Sequence, residues 1–199
     1  MIERATEIAA VILAGGQATR MEGRDKGLVE LNDKPLVQHV IDVIAPQVDE
    51  CVISANRHRE EYEKYKLKVV SDAREDFPGP LAGMEATMAV VNARWLFTCP
   101  CDSPFISSDI VARLHTELMA SSAQIAVAHD GERPQPVFAL IDTQLRDSLA
   151  AFLDSGERKI MLWFRSEKMI TVDFSDQPRN FININTESER QAAQQQPMA

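Results

Sequence analysis

The chain has 199 residues, of which 45% are hydrophobic and 26% are charged; this composition is sufficient to bury the core of one large domain. Its formal net charge of -9 opposes binding to nucleic acid, so we expect any anionic ligand to be held by a local group of positive side chains. No apolar stretch approaches the roughly 18 residues that span a bilayer, which argues against a membrane partner.

The expected location is the cytoplasm. No signal-type apolar segment follows the first residues of the chain. Three cysteines are an odd count in a chain too large to need disulfide bonds, which favours a reducing compartment. Cys99 and Cys101 lack the further cysteine pair or histidine of a zinc site, so we interpret them as structural thiols.

The first half of the chain alternates short apolar runs with amphipathic segments, a pattern typical of an α/β fold with a mostly parallel sheet. Helices are predicted after Pro35, placed at the first helical position, after the rigid turn at residues 77–83, and from Ser107 or Ser108 as cap to Met119. The polar residues 56–66 are predicted to be a connection. The predicted strands are residues 8–13, 51–53, 67–70 and 95–99.

The second half is less regular. Strands are predicted at residues 124–128 and 137–141, and Asp142 is predicted to cap a helix that ends near Gly156. A last strand is predicted within residues 180–185, and residues 186–189 have the sequence of a helix cap. Because no repeat or linker is apparent, we predict one domain over residues 1–199. Its expected parts are a nucleotide-binding half (about 7–105), an acceptor-binding half (about 106–190) and a frayed, Gln-rich tail (191–199).

The most informative segment is the glycine-rich loop that follows the first predicted strand. Residues 13–27 contain four glycines together with Arg20, Arg24 and Lys26. Glycines let backbone amides approach a ligand closely, and the three cations add positive charge beside them. This combination suits a polyphosphate, although the segment is neither a Walker loop nor G-x-G-x-x-G. The alternative is a surface loop whose charges are only solvated.

The loop also carries a family resemblance. Leu-Ala-Gly-Gly at 13–16, Arg-Met at 20–21 and Asp-Lys-Gly at 25–27 resemble the nucleotidyltransferases related to sugar-nucleotide pyrophosphorylases, in particular the molybdenum cofactor guanylyltransferases. The similarity continues in family order over nearly the whole chain. The further blocks are Asn-Arg-His at 56–58, Pro-Gly-Pro-Leu-Ala-Gly at 78–83, Cys-Pro-Cys-Asp at 99–102, His-Asp-Gly-Glu-Arg at 129–133, Gly-Glu-Arg at 156–158 and Asn-Ile-Asn-Thr at 183–186.

This resemblance implies a Rossmann-like three-layer α/β/α sandwich of the nucleotide-diphospho-sugar transferase type. It implies transfer of GMP from GTP to the terminal phosphate of molybdenum-bound molybdopterin, with Mg²⁺ as cofactor and release of pyrophosphate. Molybdoenzyme chaperones or other cofactor-biosynthesis proteins are further candidate partners. The alternatives are a cytidylyltransferase acting on the same pterin, a sugar-phosphate nucleotidyltransferase and a non-catalytic nucleotide-binding chaperone. Retention of Lys26 together with Asp102 argues against the last.

The resemblance also implies roles for individual residues. Lys26, Arg20 and Asp102 are the expected catalytic residues, and Asp102 is the expected metal ligand. Two residues depart from the family pattern: Glu22 stands where glycine is common, and Ser54 stands where a guanine-contacting asparagine is common, with Asn56 as a possible substitute. The expected nucleotide contacts are Leu13, Ala14, Gly15, Gly16, Lys26, Ser54, Asn56, Asp72, Leu81, Gly83 and Asp102. The candidates on the acceptor side are Arg158, Lys159, Asn183 and Asn185.

The predicted strands by themselves support part of this assignment. Gly15, Ser54, Asp72 and Asp102 each fall just beyond the carboxyl end of a predicted strand, where open parallel sheets bind ligands. A turn-stabilising role remains the alternative for both aspartates.

Asn183 and Asn185 would share one face of the last predicted strand. Related sugar nucleotidyltransferases resemble this arrangement in placing a late asparagine near the metal, so we predict that Asn183 or Asn185 meets Mg²⁺ or the acceptor phosphate across the cleft from Asp102. Asparagines that only hydrogen-bond the backbone at a strand end are the alternative. Two other segments remain open: residues 129–131 are a site candidate or a hairpin turn, and residues 161–164 are core or a hydrophobic wall against the pterin.

Overall fold

The structure is a computed structural model that describes residues 6–14, 25–74 and 79–195. Seven of its strands form one sheet, and β2 and β3 pair separately as a short antiparallel ribbon. The strands are β1 (Thr6–Leu13), β2 (Glu30–Leu31), β3 (Lys34–Pro35), β4 (Glu50–Ser54), β5 (Lys68–Val70), β6 (Ala93–Pro100), β7 (Ile125–His129), β8 (Pro134–Asp142) and β9 (Met169–Asp173).

Helices cover both faces of the sheet. They are α1 (Leu36–Ile44), α2 (Arg59–Glu63), α3 (Pro80–Met88), α4 (Ile110–Met119), α5 (Arg146–Asp154), α6 (Ile160–Ser166) and α7 (Glu187–Gln194). In the part of the chain that the structure describes, none of these helices has the length and apolar character needed to cross a membrane.

The strand order is β5-β4-β1-β6-β8-β7-β9. Strands β5, β4, β1 and β6 are mutually parallel, β8 runs antiparallel to both of its neighbours, and β9 is parallel to β7. After β1 the chain moves outward on one side through β4 and β5, and then crosses to the other side to form β6. The order therefore reverses between β1 and β6, which is the point where open α/β sheets bind ligands.

The core has one apolar layer on each face of the sheet. Ala10 and Ile12 face the layer that contains α1 and α4, whereas Ala9, Val11 and Leu13 face the layer that contains α3, α5 and α6. Alternate residues of β1 point to opposite faces, so an apolar β1 requires cover on both sides. The predicted three-layer α/β/α sandwich with a mostly parallel sheet is confirmed. Trp163 and Phe164 of α6 are fully buried in the second layer, which assigns them to the core.

Two predicted helix starts and one predicted connection are wrong. Helix α4 begins at Ile110 after Asp109 rather than after a serine cap, because the Gln47 Oε1 atom accepts from the Val111 amide and supplies the cap from a distant part of the chain. Pro35 precedes α1 as its N-cap instead of occupying the first helical position. The polar stretch 56–66 is not only a connection, since it contains α2.

The last predicted strand is absent. Residues Pro178–Phe181 form a 3₁₀ turn, and the chain that follows enters α7 without pairing to the sheet. Ile184 is fully buried but Ile182 is 37% exposed, because Ile184 packs into a separate cluster with Leu31, Leu36 and Phe105. Helix α7 continues to Gln194 and so includes the first residues of the predicted frayed tail.

Candidate active site at the carboxyl edge of the sheet

The carboxyl ends of four neighbouring strands are in register. Leu13 pairs with Ser54 on one side and with Pro100 on the other, and Ser54 pairs with Val70. The Ala14 amide donates to the Ser54 carbonyl oxygen at 2.8 Å, which extends this edge by one residue. Gly15, Gly16, Arg20 and Glu22 belong to residues 15–24, which lie outside the described residues.

Three polar side chains from distant parts of the sequence meet at this edge. Lys26 Nζ lies 3.5 Å from Asp102 Oδ2 and also donates to Asn185 Oδ1. The main chain joins the same parts, because the Ile184 amide donates to the Asp102 carbonyl oxygen at 2.9 Å. We call Lys26, Asp102 and Asn185 the edge cluster.

Asp102 is the buried member of the edge cluster, and one of its oxygens lacks a hydrogen-bond donor among the described residues. It is 5% exposed, and no described residue donates a hydrogen bond to its Oδ1 atom. Burial raises the pKa of this carboxyl above its ordinary value, and the nearby Lys26 ammonium opposes that rise. A buried carboxylate with an open oxygen is stabilised by a further cation.

The oxygen atoms of the edge cluster suit a hard cation that takes most of its ligands from phosphate and water. The described residues contain no group of three or more His, Cys, Asp or Glu side chains able to form a complete metal site. The edge cluster instead offers one carboxylate and one amide oxygen, and the ammonium of Lys26 contacts both. Mg²⁺ binds in this manner, through one or two protein oxygens together with phosphate and water.

The segment that carries Asn185 is fixed at both ends. Ser103 Oγ donates to Asn183 Oδ1 at 2.8 Å. The Asn185 amide donates to Glu189 Oε2 at 2.7 Å, and Thr186 caps α7 by accepting from the Glu189 amide. The predicted cap of the last helix is confirmed. Asn185 reaches Lys26, which also contacts Asp102, without the predicted strand, and contact of Asn183 or Asn185 with Mg²⁺ or the acceptor phosphate stays a prediction.

Ser54 is placed differently from the prediction. It is the last residue of β4 rather than a residue beyond it, and it is 3% exposed. A Cβ atom on Gly83 would lie 2.6 Å from Ser54 Oγ and 2.8 Å from Leu13 Cδ2. Gly83 therefore lets α3 pack directly on the strand ends. Leu81 is also fully buried and packs in the core layer on the same side as Leu13.

Asn56 and Asp72 form a second polar pair on this edge. The Asp72 amide donates to Asn56 Oδ1 at 2.8 Å, and Asn56 Nδ2 donates to Asp72 Oδ2 at 2.7 Å. Burial raises the pKa of Asp72, and the hydrogen bond from Asn56 opposes that rise. This exchange of hydrogen bonds joins the segments that follow β4 and β5.

Arg158 and Lys159 do not join the edge cluster. The Arg158 guanidinium donates to the Leu153 and Glu157 carbonyl oxygens at 2.8 and 2.7 Å, because the carbonyl groups at the end of α5 attract a cation. Lys159 is exposed and precedes α6. The His129 segment is a hairpin between β7 and β8, in which Asp130 Oδ1 accepts from two backbone amides.

Sequence reasoning missed Asp25 and Tyr62, which support the turn that carries Lys26. Asp25 Oδ1 accepts from the Gly27 amide at 3.1 Å and from the Tyr62 hydroxyl. Tyr62 lies on α2, within the polar stretch predicted as a connection. One feature of the sequence could have indicated this helix. Arg59 and Glu63 are four residues apart, which is the spacing of a helical ion pair, and Tyr62 is the single aromatic residue between them.

The fold and the edge cluster suit a protein that binds a nucleotide. Doubly covered α/β sheets bind ligands at the switch point, and a lysine, a buried carboxylate and an amide oxygen at that point suit phosphate groups and a metal ion. Residues 10–169 match the family described as the MobA-like NTP transferase domain, and the chain belongs to this family. It is therefore an enzyme of the nucleotidyltransferase class.

Curated relatives extend the similarity over nearly the whole chain. The molybdenum cofactor guanylyltransferase of Shewanella pealeana is 48% identical, over 94% of both chains. The protein of the same name from Shewanella putrefaciens is 50% identical, over 92% of this chain and 94% of the relative.

Solved structures share the fold at lower identity. The molybdopterin-guanine dinucleotide biosynthesis protein A of Archaeoglobus fulgidus superimposes with a TM-score of 0.78 at 21% identity, covering 94% of this chain and 96% of that one. The 4-diphosphocytidyl-2C-methyl-D-erythritol synthase of Anaerococcus prevotii superimposes with a TM-score of 0.75 at 13% identity, covering 96% and 95%. These likenesses establish the common fold.

Proposed function

We propose that this chain transfers GMP from GTP to the terminal phosphate of molybdenum-bound molybdopterin. The products are pyrophosphate and the guanine dinucleotide form of the molybdenum cofactor. Relatives that are about half identical over nearly their whole length carry the name of this activity. The observation that carries the proposal is the edge cluster, which brings Lys26, Asp102 and Asn185 together at the switch point of the sheet.

The reaction joins two anions, so its main requirements are alignment and charge compensation. A terminal phosphate oxygen of the pterin attacks the α-phosphorus of GTP in line with the bond to the β-phosphate. The new P–O bond forms as that bond breaks, and pyrophosphate leaves with the electron pair. A phosphate that is already ionised needs no general base. The Lys26 side chain is 30% exposed, so its ammonium is available to phosphate oxygens, and we assign Arg20 the same kind of role.

The edge cluster also contains the proposed metal ligands. Asp102, assisted by the amide oxygen of Asn185 or Asn183, would hold Mg²⁺ because its Oδ1 atom has no donor among the described residues. When bound, Mg²⁺ supplies positive charge to the polyphosphate and to the leaving group. The contact of the Lys26 ammonium with the Asp102 and Asn185 oxygens supports a preference for positive charge at this position.

The two substrates are assigned to different parts of the domain. Residues 7–105 provide the proposed nucleotide side, including Leu13, Ala14 and the pair Asn56 and Asp72. Residues 106–190 provide the acceptor side, on which Arg158 and Lys159 offer exposed positive charge. We further propose that molybdoenzyme chaperones or other cofactor-biosynthesis proteins receive the product.

A turnover assay tests this function. Pyrophosphate release is measured with each of the four nucleoside triphosphates in the presence of molybdenum cofactor. We expect kcat/KM to be about a hundredfold higher for GTP than for CTP, because a site that pairs with the guanine N1–H and amino group leaves its own polar groups unpaired with cytosine. Equal kcat/KM values would contradict the choice of guanine. Efficient release with sugar phosphates in place of the pterin would contradict the choice of acceptor, and binding without release would indicate a carrier.

A further inference from the structure

The turn that carries Lys26 is organised by the carboxylate before it. Asp25 caps the 3₁₀ turn Lys26–Leu28, and its Oδ1 atom accepts from the Gly27 amide at 3.1 Å. The Leu28 amide donates to the Asp25 carbonyl oxygen at 3.1 Å, and the Val29 amide donates to the Lys26 carbonyl oxygen at 3.2 Å. The backbone of Lys26 is therefore placed by Asp25.

Asp25 is in turn held by a buried phenol. The hydroxyl of Tyr62, a fully buried residue of α2, donates to the same Oδ1 atom that caps the turn. Burial raises the pKa of this phenol above its ordinary value, so Tyr62 keeps its proton and remains a donor. A hydrogen bond from a neutral phenol to a carboxylate is among the stronger ones in proteins.

Tyr62 is itself attached to the sheet. The Arg59 guanidinium, one helical turn earlier, donates to the Val69 carbonyl oxygen at 2.7 Å and to Ser71 Oγ at 3.1 Å. These bonds fasten α2 to β5 and to the residue that follows it. Asp25 is thus connected, through Tyr62 and α2, to the same sheet that carries Asp102.

Gly27 shows how closely these parts fit. A Cβ atom at Gly27 would lie 2.5 Å from Tyr62 Oη and 3.2 Å from Cys101 Sγ. Cys101 directly precedes Asp102 and is buried. The Lys26 turn is therefore clamped between Tyr62 and the end of β6, and only a glycine leaves room for that contact.

We infer that Tyr62 is a positioning residue for the transfer reaction, which acts through Asp25 to set the location of the Lys26 ammonium relative to Asp102. The inference rests on the proposed function, because it assigns Lys26 to the polyphosphate. Tyr62 is fully buried, so its proposed effect on the substrates is indirect. Loss of the Tyr62 hydroxyl is expected to displace the Lys26 ammonium, whose effect on the reaction depends on its position. Displacements of about 1 Å at such a group lower turnover by as much as about a hundredfold.

The first test compares Tyr62→Phe with Tyr65→Phe in the full-length protein. Tyr65 is half-buried and its ring packs against that of Tyr62, with 6.5 Å between centroids, so it controls for loss of a phenol from the same cluster. We expect kcat for pyrophosphate release to fall about tenfold in Tyr62→Phe and less than twofold in Tyr65→Phe, with the KM of the pterin acceptor unchanged in both. Equal activity of Tyr62→Phe and wild type would overturn the inference.

A double-mutant cycle separates positioning from general loosening of the fold. If Tyr62 acts through Lys26, Tyr62→Phe lowers kcat about tenfold in the wild type but less than twofold in a Lys26→Ala background. A tenfold loss in both backgrounds would overturn the inference and leave the proposed function intact. A wild-type protein that releases no pyrophosphate with any nucleotide would overturn both.

Discussion

Two buried aspartates lie at opposite edges of the same sheet, and their surroundings differ. Asp142 ends β8 opposite Trp95, at the edge where the parallel strands begin. It is 1% exposed, and both of its oxygens are engaged: Oδ2 accepts from Arg94 Nη2 at 2.7 Å, and Oδ1 accepts from the Gln144 amide at 2.9 Å. Asp102 is buried to a similar extent, but its Oδ1 atom has no donor in the described parts of the chain.

The difference is between a carboxylate whose two oxygens both have partners and a carboxylate with one oxygen that no described residue contacts by a hydrogen bond. Burial of a charged group destabilises the fold unless hydrogen bonds and opposite charge offset the lost hydration. At Asp142 the protein supplies these partners itself. At Asp102 the described residues supply only part of this set, with Lys26 Nζ at 3.5 Å from Oδ2. A buried carboxylate that lacks some of its hydrogen-bond and charge partners can gain them from a bound cation, and such carboxylates are common at functional sites.

The largest expected effect comes from Asp102→Asn. A neutral amide is a poor ligand for Mg²⁺, so we expect kcat to fall by about a thousandfold or more. The thermal midpoint of the nucleotide-free protein is not expected to fall, because the substitution removes a poorly compensated buried charge. Turnover as a function of Mg²⁺ concentration, combined with thermal denaturation, measures both effects. An unchanged Mg²⁺ dependence would reduce Asp102 to a turn residue.

Lys26→Ala is expected to lower kcat by about a hundredfold or more while leaving the protein folded. Its ammonium lies on an ordered turn outside the main core, and its loss removes charge compensation at the polyphosphate. Circular dichroism and steady-state turnover provide the comparison. Wild-type rates in a folded Lys26→Ala protein would contradict the assignment of this residue.

Asp142→Asn is the matched control for Asp102→Asn and should have the reverse effect. It replaces the charged acceptor of Arg94 by an amide, so we expect the free energy of unfolding to fall by about 1–2 kcal/mol. The kcat of the folded fraction should stay within about twofold of wild type. Denaturant titration and turnover at a temperature below the transition measure the two quantities. A large loss of kcat without loss of stability would break the distinction between the two aspartates.

The smallest expected effect is a difference in pH dependence. The pKa of Asp102 is raised in the folded protein above its ordinary value of 3.8, so the folded state binds the proton more tightly than the unfolded state. The contribution of this group to stability therefore decreases as pH rises from its unfolded pKa through its folded pKa. We expect wild type to lose stability relative to Asp102→Asn over this acidic range. Parallel curves for the two proteins, in the absence of nucleotide, would contradict the raised pKa.

Much of the parallel part of the sheet could be predicted from the sequence because its signals are local. Continuous apolar runs identified β1 and β6 as buried strands, and the position of Asp102 shortly after the second run placed it at the carboxyl edge of the sheet. The cap at Thr186 was also predicted, and the hairpin turn at Asp130 was one of two alternatives left open, since each depends on residues within a few positions. Local hydrogen bonding fixes such elements before the rest of the chain is considered.

The parts that could not be predicted depend on distant partners. Ser54 looked like a residue beyond a strand, but it pairs with Leu13 and Val70 as the last residue of β4, and the close approach of Gly83 buries its side chain. Apolar and polar residues alternate over residues 180–185 as in a strand, yet Ile184 packs against Leu36 and Phe105 rather than against the sheet. Alternation reports that two faces differ, but it does not identify what covers them.

The sequence by itself determined the class of fold, the position of Asp102 at the carboxyl edge of the sheet, and the candidate roles of Lys26 and Asp102. It did so because period, glycine content and the ends of apolar runs are properties of neighbouring residues. Only the tertiary structure decided that Asn185 meets Lys26 across 159 positions of the chain, and that Tyr62 supports the turn from α2 through Asp25. Contacts between residues that far apart depend on how the layers pack, and the sequence spacing of the two partners carries no trace of them.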